Sequence, residues 1–265
     1  MRPYLLVVSY WGRPFHGFQM QRAAQPTVQG HLERALSHIE GRPVRIRAAG
    51  RTDTGVHAAA MPVRIDISRE MSRRKWLLAL HGLLPQEIQI RDIQEIPADF
   101  DPRFDALRKT YVYCLWLGER TPFWAPYATP WPFPLDEENL AKTLFLLEGT
   151  RDFRAFARAH GKRGRTLRSL TAHWGRKGQL VALYFASDGF LYRMVRSLAA
   201  AVLAVQRGRL SLDDLSAYLD PKGPSFPWTA PSQGLTLLQV DYPDRVIADL
   251  AFRTTFLPRP AIQDV

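Results

Sequence analysis

Tyr111-Val112-Tyr113-Cys114-Leu115-Trp116-Leu117 runs straight into Gly118 to Pro134, a stretch with prolines at 122, 126, 130, 132 and 134. The first piece places an aromatic or apolar residue at nearly every position, the composition of a buried strand. The second cannot hold a continuous helix or a central strand, because proline lacks the amide donor and clashes with the preceding turn. The sequence therefore predicts an N-terminal half over 1–118, a proline-rich connector over 119–134 and a C-terminal half over 135–265.

Upstream of the connector, Tyr4 to Trp11 reads as an apolar strand ending at Gly12-Arg13-Pro14. Thr27 then caps a helix in which Val28, Leu32, Ala35, Leu36 and Ile39 recur at helical spacing up to Gly41. Pro43 to Ala48 and Met61 to Ile67 alternate as strands, Ser72 starts a helix reaching Pro85, and Ile88 to Ile96 is extended. Downstream, Asp136 caps a helix to Gly149, and Thr166 to Trp174 and Gln179 to Phe185 flank a turn at Gly175 to Gly178. Tyr192 to Gln206 and Leu212 to Leu219 read as helices, and Thr236 to Tyr242 as a closing strand. This order predicts an α+β protein of two ferredoxin-like halves whose antiparallel sheets join into one larger mixed catalytic domain, with one broad face left free.

Charge narrows the partner. Of 36 basic residues only six are lysines, leaving 30 arginines, against 25 acidic residues and a net charge of +11. The planar guanidinium pairs with phosphate oxygens and stacks on bases, so the bias points to nucleic acid. A single cysteine, Cys114, excludes an internal disulfide and a multi-cysteine metal centre. No apolar run approaches the ~20 residues of a membrane span. Leu5-Leu6-Val7-Val8 is too short for a signal-peptide core and continues into Tyr10-Trp11, the pattern of a strand in a cytoplasmic protein.

The candidate chemistry lies in Arg47-Ala48-Ala49-Gly50-Arg51-Thr52-Asp53-Thr54-Gly55-Val56-His57. Gly50 and Gly55 permit backbone conformations closed to other residues, which puts Asp53 on a tight loop leaving a strand. The cation of Arg51, two residues upstream, favours the charged carboxylate, which suits a nucleophile or a base better than an acid. His57 and His16 read as hydrogen-bonding scaffold, since neither has a second candidate base beside it.

Gly50-Arg51-Thr52-Asp53-Thr54-Gly55-Val56-His57-Ala58 resembles the signature of the TruA family, the pseudouridine synthases of the tRNA anticodon arm, and further stretches match in order. Gly17-Phe18-Gln19-Met20-Gln21 is similar to the family's Gly-Trp-Gln-x-Gln. Arg103-Phe104-Asp105-Ala106 with Lys109-Thr110-Tyr111-Val112-Tyr113 resembles its second motif. Met194-Val195-Arg196 resembles the third, and Gly234-Leu235 with Val240-Asp241-Tyr242 the closing strand. The resemblance implies isomerisation of uridine to pseudouridine at positions 38–40 of the anticodon stem-loop, by a homodimer that needs neither metal nor small-molecule cofactor. It also implies roles: Asp53 as the catalytic aspartate, Arg196 paired with that carboxylate, Tyr111 stacked on uracil, and Arg51 in the space left by the extruded nucleotide.

Some positions depart from the family pattern. Phe18 stands where the family has tryptophan, Leu83 where asparagine often precedes Leu-Pro, and Ser197-Leu198-Ala199 replaces Asn-Ile-Val after the arginine. Arg151 to Arg168, rich in arginine and with glycines at 161 and 164, reads as a mobile loop whose Arg158, Lys162, Arg163, Arg165 and Arg168 can grip phosphates. Trp116, Phe123, Trp124, Tyr127 and Trp131 could supply an apolar surface between subunits or cover their own half. Two rival readings are an aspartic protease and a non-catalytic RNA-binding protein. Asp53-Thr54-Gly55 matches the protease Asp-Thr-Gly, yet the sequence has no second such triplet to pair with it. The RNA-binding rival keeps the basic charge without needing Asp53.

Overall fold

The computed structural model describes residues 1–21, 25–158 and 165–243. The chain forms two compact units, Met1–Arg108 with the closing stretch from Thr236, and Lys109–Leu235.

The first unit runs β1 (Arg2–Tyr10), α1 (Val28–Glu40), β2 (Ile46–Ala48), β3 (His57–Ile67), α2 (Arg73–Leu83) and β4 (Ile88–Glu95). β1 is central, antiparallel to β4 on one side and to β3 on the other, and β2 pairs with β3, giving the ferredoxin-like order β4-β1-β3-β2. Local chemistry sets the helix ends. The Thr27 hydroxyl accepts from the Gly30 amide, Gly41 closes α1 at φ 70°, and the Ser72 hydroxyl accepts from Lys75 at the start of α2. Each helix buries one face, Val28, Leu32, Ala35 and Leu36 in α1 and Trp76 and Leu80 in α2.

The expected open face is absent in this unit's centre. Leu5, Leu6, Val7 and Val8 are all buried, and so are Met61, Val63, Arg64 and Ile65, so β1 and β3 are covered on both sides. Arg64 lies opposite Leu5 in the ladder, and its guanidinium donates to the carbonyls of Ala98, at 2.8 Å, and of Phe100. The segment after β4 is thereby tied across the second face, with Phe100 itself buried.

The second unit runs β5 (Arg108–Trp116), β6 (Thr129–Pro130), α3 (Glu137–Leu147), β7 (Gly149–Asp152), β8 (Leu167–Lys177), β9 (Leu180–Ser187), α4 (Met194–Gln206) and α5 (Leu212–Leu219). β5, β9, β8 and β7 pair antiparallel in that order, and β6 adds a short parallel pair on β5. Asp136 caps α3, and Ser211 with Asp214 forms a capping box on α5. Trp131 is buried and Trp116 stacks on Trp124 at 4.6 Å, so these rings cover their own unit, whereas Phe123 and Tyr127 are exposed. β10 (Leu235–Asp241) closes the chain and returns to the first unit, where Thr236 and Leu237 pair parallel with His57 and Ala58.

Three local expectations change. The basic stretch is not one loop: Arg151 lies on β7 opposite Arg168 of β8, and Arg154–Phe156 form a 3-10 turn. The β8–β9 turn sits two residues later than expected, at Gly178-Gln179, because Gly178 (φ 59°) supplies the left-handed backbone that a tight hairpin requires. α4 begins at Met194, after Arg193 adopts φ 60°. Among the described residues no helix is long and apolar enough to cross a membrane.

Candidate active site

Asp53 sits at the start of a tight turn between β2 and β3, where the Val56 amide donates to the Asp53 carbonyl at 3.1 Å and Gly55 takes φ 78°. Its side chain is half-buried, Arg51 and Thr54 are exposed, and Thr52 and Val56 are buried. The loop therefore alternates anchors with presented groups. Arg51, two residues before Asp53, is an exposed cation at the edge of this loop.

The segment after β1 shapes this loop. Gly17, at φ 88°, lies so close that a β-carbon there would stand 3.0 Å from the Thr52 carbonyl oxygen, 3.3 Å from the Thr54 nitrogen and 3.4 Å from the Asp53 carbonyl carbon. The Phe18 amide donates to that same Thr52 oxygen at 3.1 Å, and the Thr52 hydroxyl shares a 2.7 Å hydrogen bond with the Tyr10 phenol in a buried setting. Gly12 packs still more tightly: a β-carbon would fall 1.9 Å from the Val56 carbonyl oxygen. Its amide donates to Nδ1 of buried His57 at 3.0 Å, which makes Nδ1 an acceptor and assigns the neutral ring's proton to Nε2. His57 thus ties the end of β1 to the start of β3 through this bond. Gly17 and Phe18 thus shape the Asp53 loop, whereas the Met20 amide donates to Gln29 and the Gln21 side chain to the His16 carbonyl. Phe18, the position that departs from tryptophan, is buried with its ring 6.1 Å from that of Tyr10. Tyr10 and Gly12 escape a motif-based reading because they act only through contacts across some 40 residues of chain.

In the second unit, Tyr111 lies on β5 opposite Phe185, and the Phe190 ring meets it edge-on at 5.2 Å and 88°. Tyr111 and Tyr113 share one face of the strand by its two-residue period. Burial pushes the Tyr113 hydroxyl well above the ordinary tyrosine range, while its 2.6 Å bond with Thr129 and the charge of Arg196 pull the other way. The arginine is fixed at its root, since Nε donates to the Ala230 carbonyl at 2.8 Å and its own carbonyl accepts from the Ala230 amide at 2.9 Å. One turn earlier Arg193 holds its left-handed backbone, a conformation costing about 1–2 kcal/mol for a residue with a β-carbon. Such strain is retained where the surroundings over-determine it.

The basic candidates differ among themselves. Arg158 donates through Nη2 to the Pro227 carbonyl at 2.7 Å, Arg165 is exposed, and Arg168 stands half-buried on β8, whereas Lys162 and Arg163 lie outside the described residues. Among the described residues, no three histidine, cysteine, aspartate or glutamate side chains gather as metal ligands.

The family model described as tRNA pseudouridine synthase matches residues 6–105 and 144–243. The chain is 38% identical over 247 residues to a tRNA pseudouridine synthase A of Syntrophomonas wolfei, covering 90% of this chain and 97% of the relative. It is also 38% identical over 239 residues to that of a Geobacillus species (89% and 96% coverage) and 37% identical over 249 residues to that of Solibacter usitatus (91% and 100%). With a family model spanning most of the sequence and relatives above a third identical over nearly their whole length, the chain belongs to the tRNA pseudouridine synthase family.

Proposed function

We propose that this protein isomerises uridine to pseudouridine at positions 38–40 of the tRNA anticodon stem-loop, with Asp53 as the reacting carboxylate. The observation that supports this most is the moulded loop. Gly17, Phe18 and Gly12 bear on the backbone around Asp53, Tyr10 holds the Thr52 hydroxyl beside it, and Asp53 stays half-buried, the arrangement of a group held for chemistry rather than for packing. The reaction breaks the bond from N1 to the ribose C1′, turns the base and joins C5 to C1′; the C5 proton leaves to solvent and N1 regains a proton. Atoms and electrons balance within the substrate, so one carboxylate acting as nucleophile or base suffices, with no redox carrier and no metal.

The remaining residues take the roles that family membership supports. Tyr111 stacks on the uracil ring, Arg196 supplies the cation of the reacting centre, and Arg51 fills the place of the extruded nucleotide. Arg158, Lys162, Arg163, Arg165 and Arg168 contact phosphates, in a protein that works as a cytoplasmic homodimer. Carbodiimide labelling of an unmodified tRNA transcript after incubation, read by primer extension, tests the positional assignment. Stops at positions 38–40 are expected, and stops confined to another arm of the tRNA would overturn it.

A further inference from the structure

The segment Asp101 to Leu107 is held far more firmly than a surface turn requires, and what it holds outward is an aromatic ring. The Asp101 carboxylate accepts from the amides of Arg103, at 2.8 Å, and Phe104, at 3.2 Å. The Asp105 carboxylate accepts from the Asp101 amide at 2.8 Å, and the Asp105 amide donates to the Asp101 carbonyl at 3.0 Å. From outside the turn, the Tyr242 phenol donates to the Pro102 carbonyl at 2.6 Å, and the Leu107 amide to the Asp241 carbonyl at 2.9 Å. On this fixed backbone Phe104 is 79% exposed, while Phe100, four residues earlier, is 2% exposed against the Tyr242 ring. Isolated exposed apolar residues are ordinary on protein surfaces. A phenyl ring displayed by a doubly braced turn is different, because the same turn could have directed it inward.

We propose that Phe104, with Arg103, is a stacking platform for an unpaired base of the tRNA other than the one isomerised. Arg103 carries its guanidinium 5.5 Å from the centre of the Phe104 ring, so a π-face and a cation are offered together, the pair that single-stranded nucleic acid engages through base and phosphate. Charge selects this occupant over a second copy of the chain. Arg103 and Arg108 are exposed on either side of Phe104, both nearby carboxylates are turned onto backbone amides, and the chain is +11 overall. The chain's net charge of +11 repels a second copy of itself and attracts a polyanion, and the exposed guanidinium beside the ring is placed to meet a phosphate. The inference rests on tRNA being the substrate.

The test measures affinity for an unmodified tRNA transcript in wild type, Phe104→Ala, Phe104→Leu and Phe104→Trp, with tritium release from 5-tritiated uridine in tRNA as a control. Loss of one base stack should weaken binding by roughly 5- to 150-fold in the alanine variant. Leucine should bind nearly as poorly, having bulk but no π-face, and tryptophan should restore affinity. The dependence of binding on salt should keep its slope in Phe104→Ala and become shallower in Arg103→Ala. Wild-type affinity in Phe104→Ala, or full rescue by leucine, would overturn the platform. So would a loss of affinity that tracks dissociation of an oligomer by sedimentation, which would make the ring a contact between subunits. Absence of tritium release by wild type itself would instead defeat the functional reading, so the two failures are distinguishable.

Discussion

Replacing Gly17 with alanine tests whether the segment after β1 sets the position of Asp53. The new β-carbon meets the Thr52 oxygen at 3.0 Å and the Thr54 nitrogen at 3.3 Å, both backbone atoms, so the relief must come from movement of the Asp53 loop by a few tenths of an ångström. The residue must also hold φ 88°, which costs about 1–2 kcal/mol for any side chain with a β-carbon. Stability should therefore fall by about 1–3 kcal/mol, read as a loss of roughly 2–4 °C in melting temperature per kcal/mol. A 1 Å misplacement of a catalytic group costs about 100-fold in rate, so the smaller displacement here should slow the chemical step about tenfold. Gly41→Ala is the control, since Gly41 takes φ 70° but a β-carbon there has nothing within 4 Å. It should lose comparable stability and keep its rate. Single-turnover rates at saturating enzyme separate the two variants. A rate for Gly17→Ala within threefold of wild type, or equal slowing by Gly41→Ala, would mean that Gly17 does not set the position of Asp53.

Other consequences follow from individual groups. The Glu40 carboxylate is fully buried and accepts from the Ser68 amide and hydroxyl at 2.9 and 2.7 Å and from the Arg69 amide at 3.0 Å. Burial alone would raise its pKa, but these bonds outweigh it and hold the group below its ordinary value of 4.5. A depressed carboxylate stabilises the fold above its ordinary pKa and loses that contribution as pH falls through the folded value. Glu40→Gln should thus cost about 2 kcal/mol by urea denaturation at pH 7, and the gap to wild type should close towards pH 3. Burial pushes the Cys114 thiol up to about 12, so a disulfide reagent should leave the native protein unlabelled and active and react with one thiol in denaturant. Binding of tRNA should weaken with salt at a log-log slope of about −0.7 to −0.9 per phosphate contact. Removing Arg163 and Arg165 should flatten that slope. Arg51→Ala should instead lower the single-turnover rate, and a change confined to affinity would reduce Arg51 to one more phosphate contact.

Signals carried within a few residues were legible in the sequence. Thr27 and Gly41 bound α1 as their side chain and backbone freedom dictate, Asp136 opens α3, and Leu212–Leu219 forms α5 over the expected residues. The turn at Asp53 was legible from its glycines. Features fixed by distant partners were not. β7 reads Gly-Thr-Arg-Asp, with no apolar residue to mark a strand, and exists because β8 offers an edge to pair with. β3 starts at His57 rather than at Met61, because Ala58-Ala59-Ala60 has little strand preference of its own and is held by pairing with β1 and β10. The open face was overestimated for the same reason, since nothing local announces that Arg64 will bind carbonyls more than 30 residues away. At the candidate site, the loop that carries Asp53 and the Gly17 motif were legible but the contacts around them were not: Tyr10 and Gly12 are an ordinary strand end and an ordinary loop glycine until the fold brings them to Thr52 and Val56.

Tritium release from 5-tritiated uridine in unmodified tRNA reads out whether the Asp53 carboxylate performs the isomerisation. Wild type should release tritium as C5 loses its proton, and Asp53→Asn should release none while melting and binding tRNA as wild type does, because the amide keeps the shape and loses only the charge. Release by Asp53→Asn within tenfold of the wild-type rate would mean that another group carries the reaction.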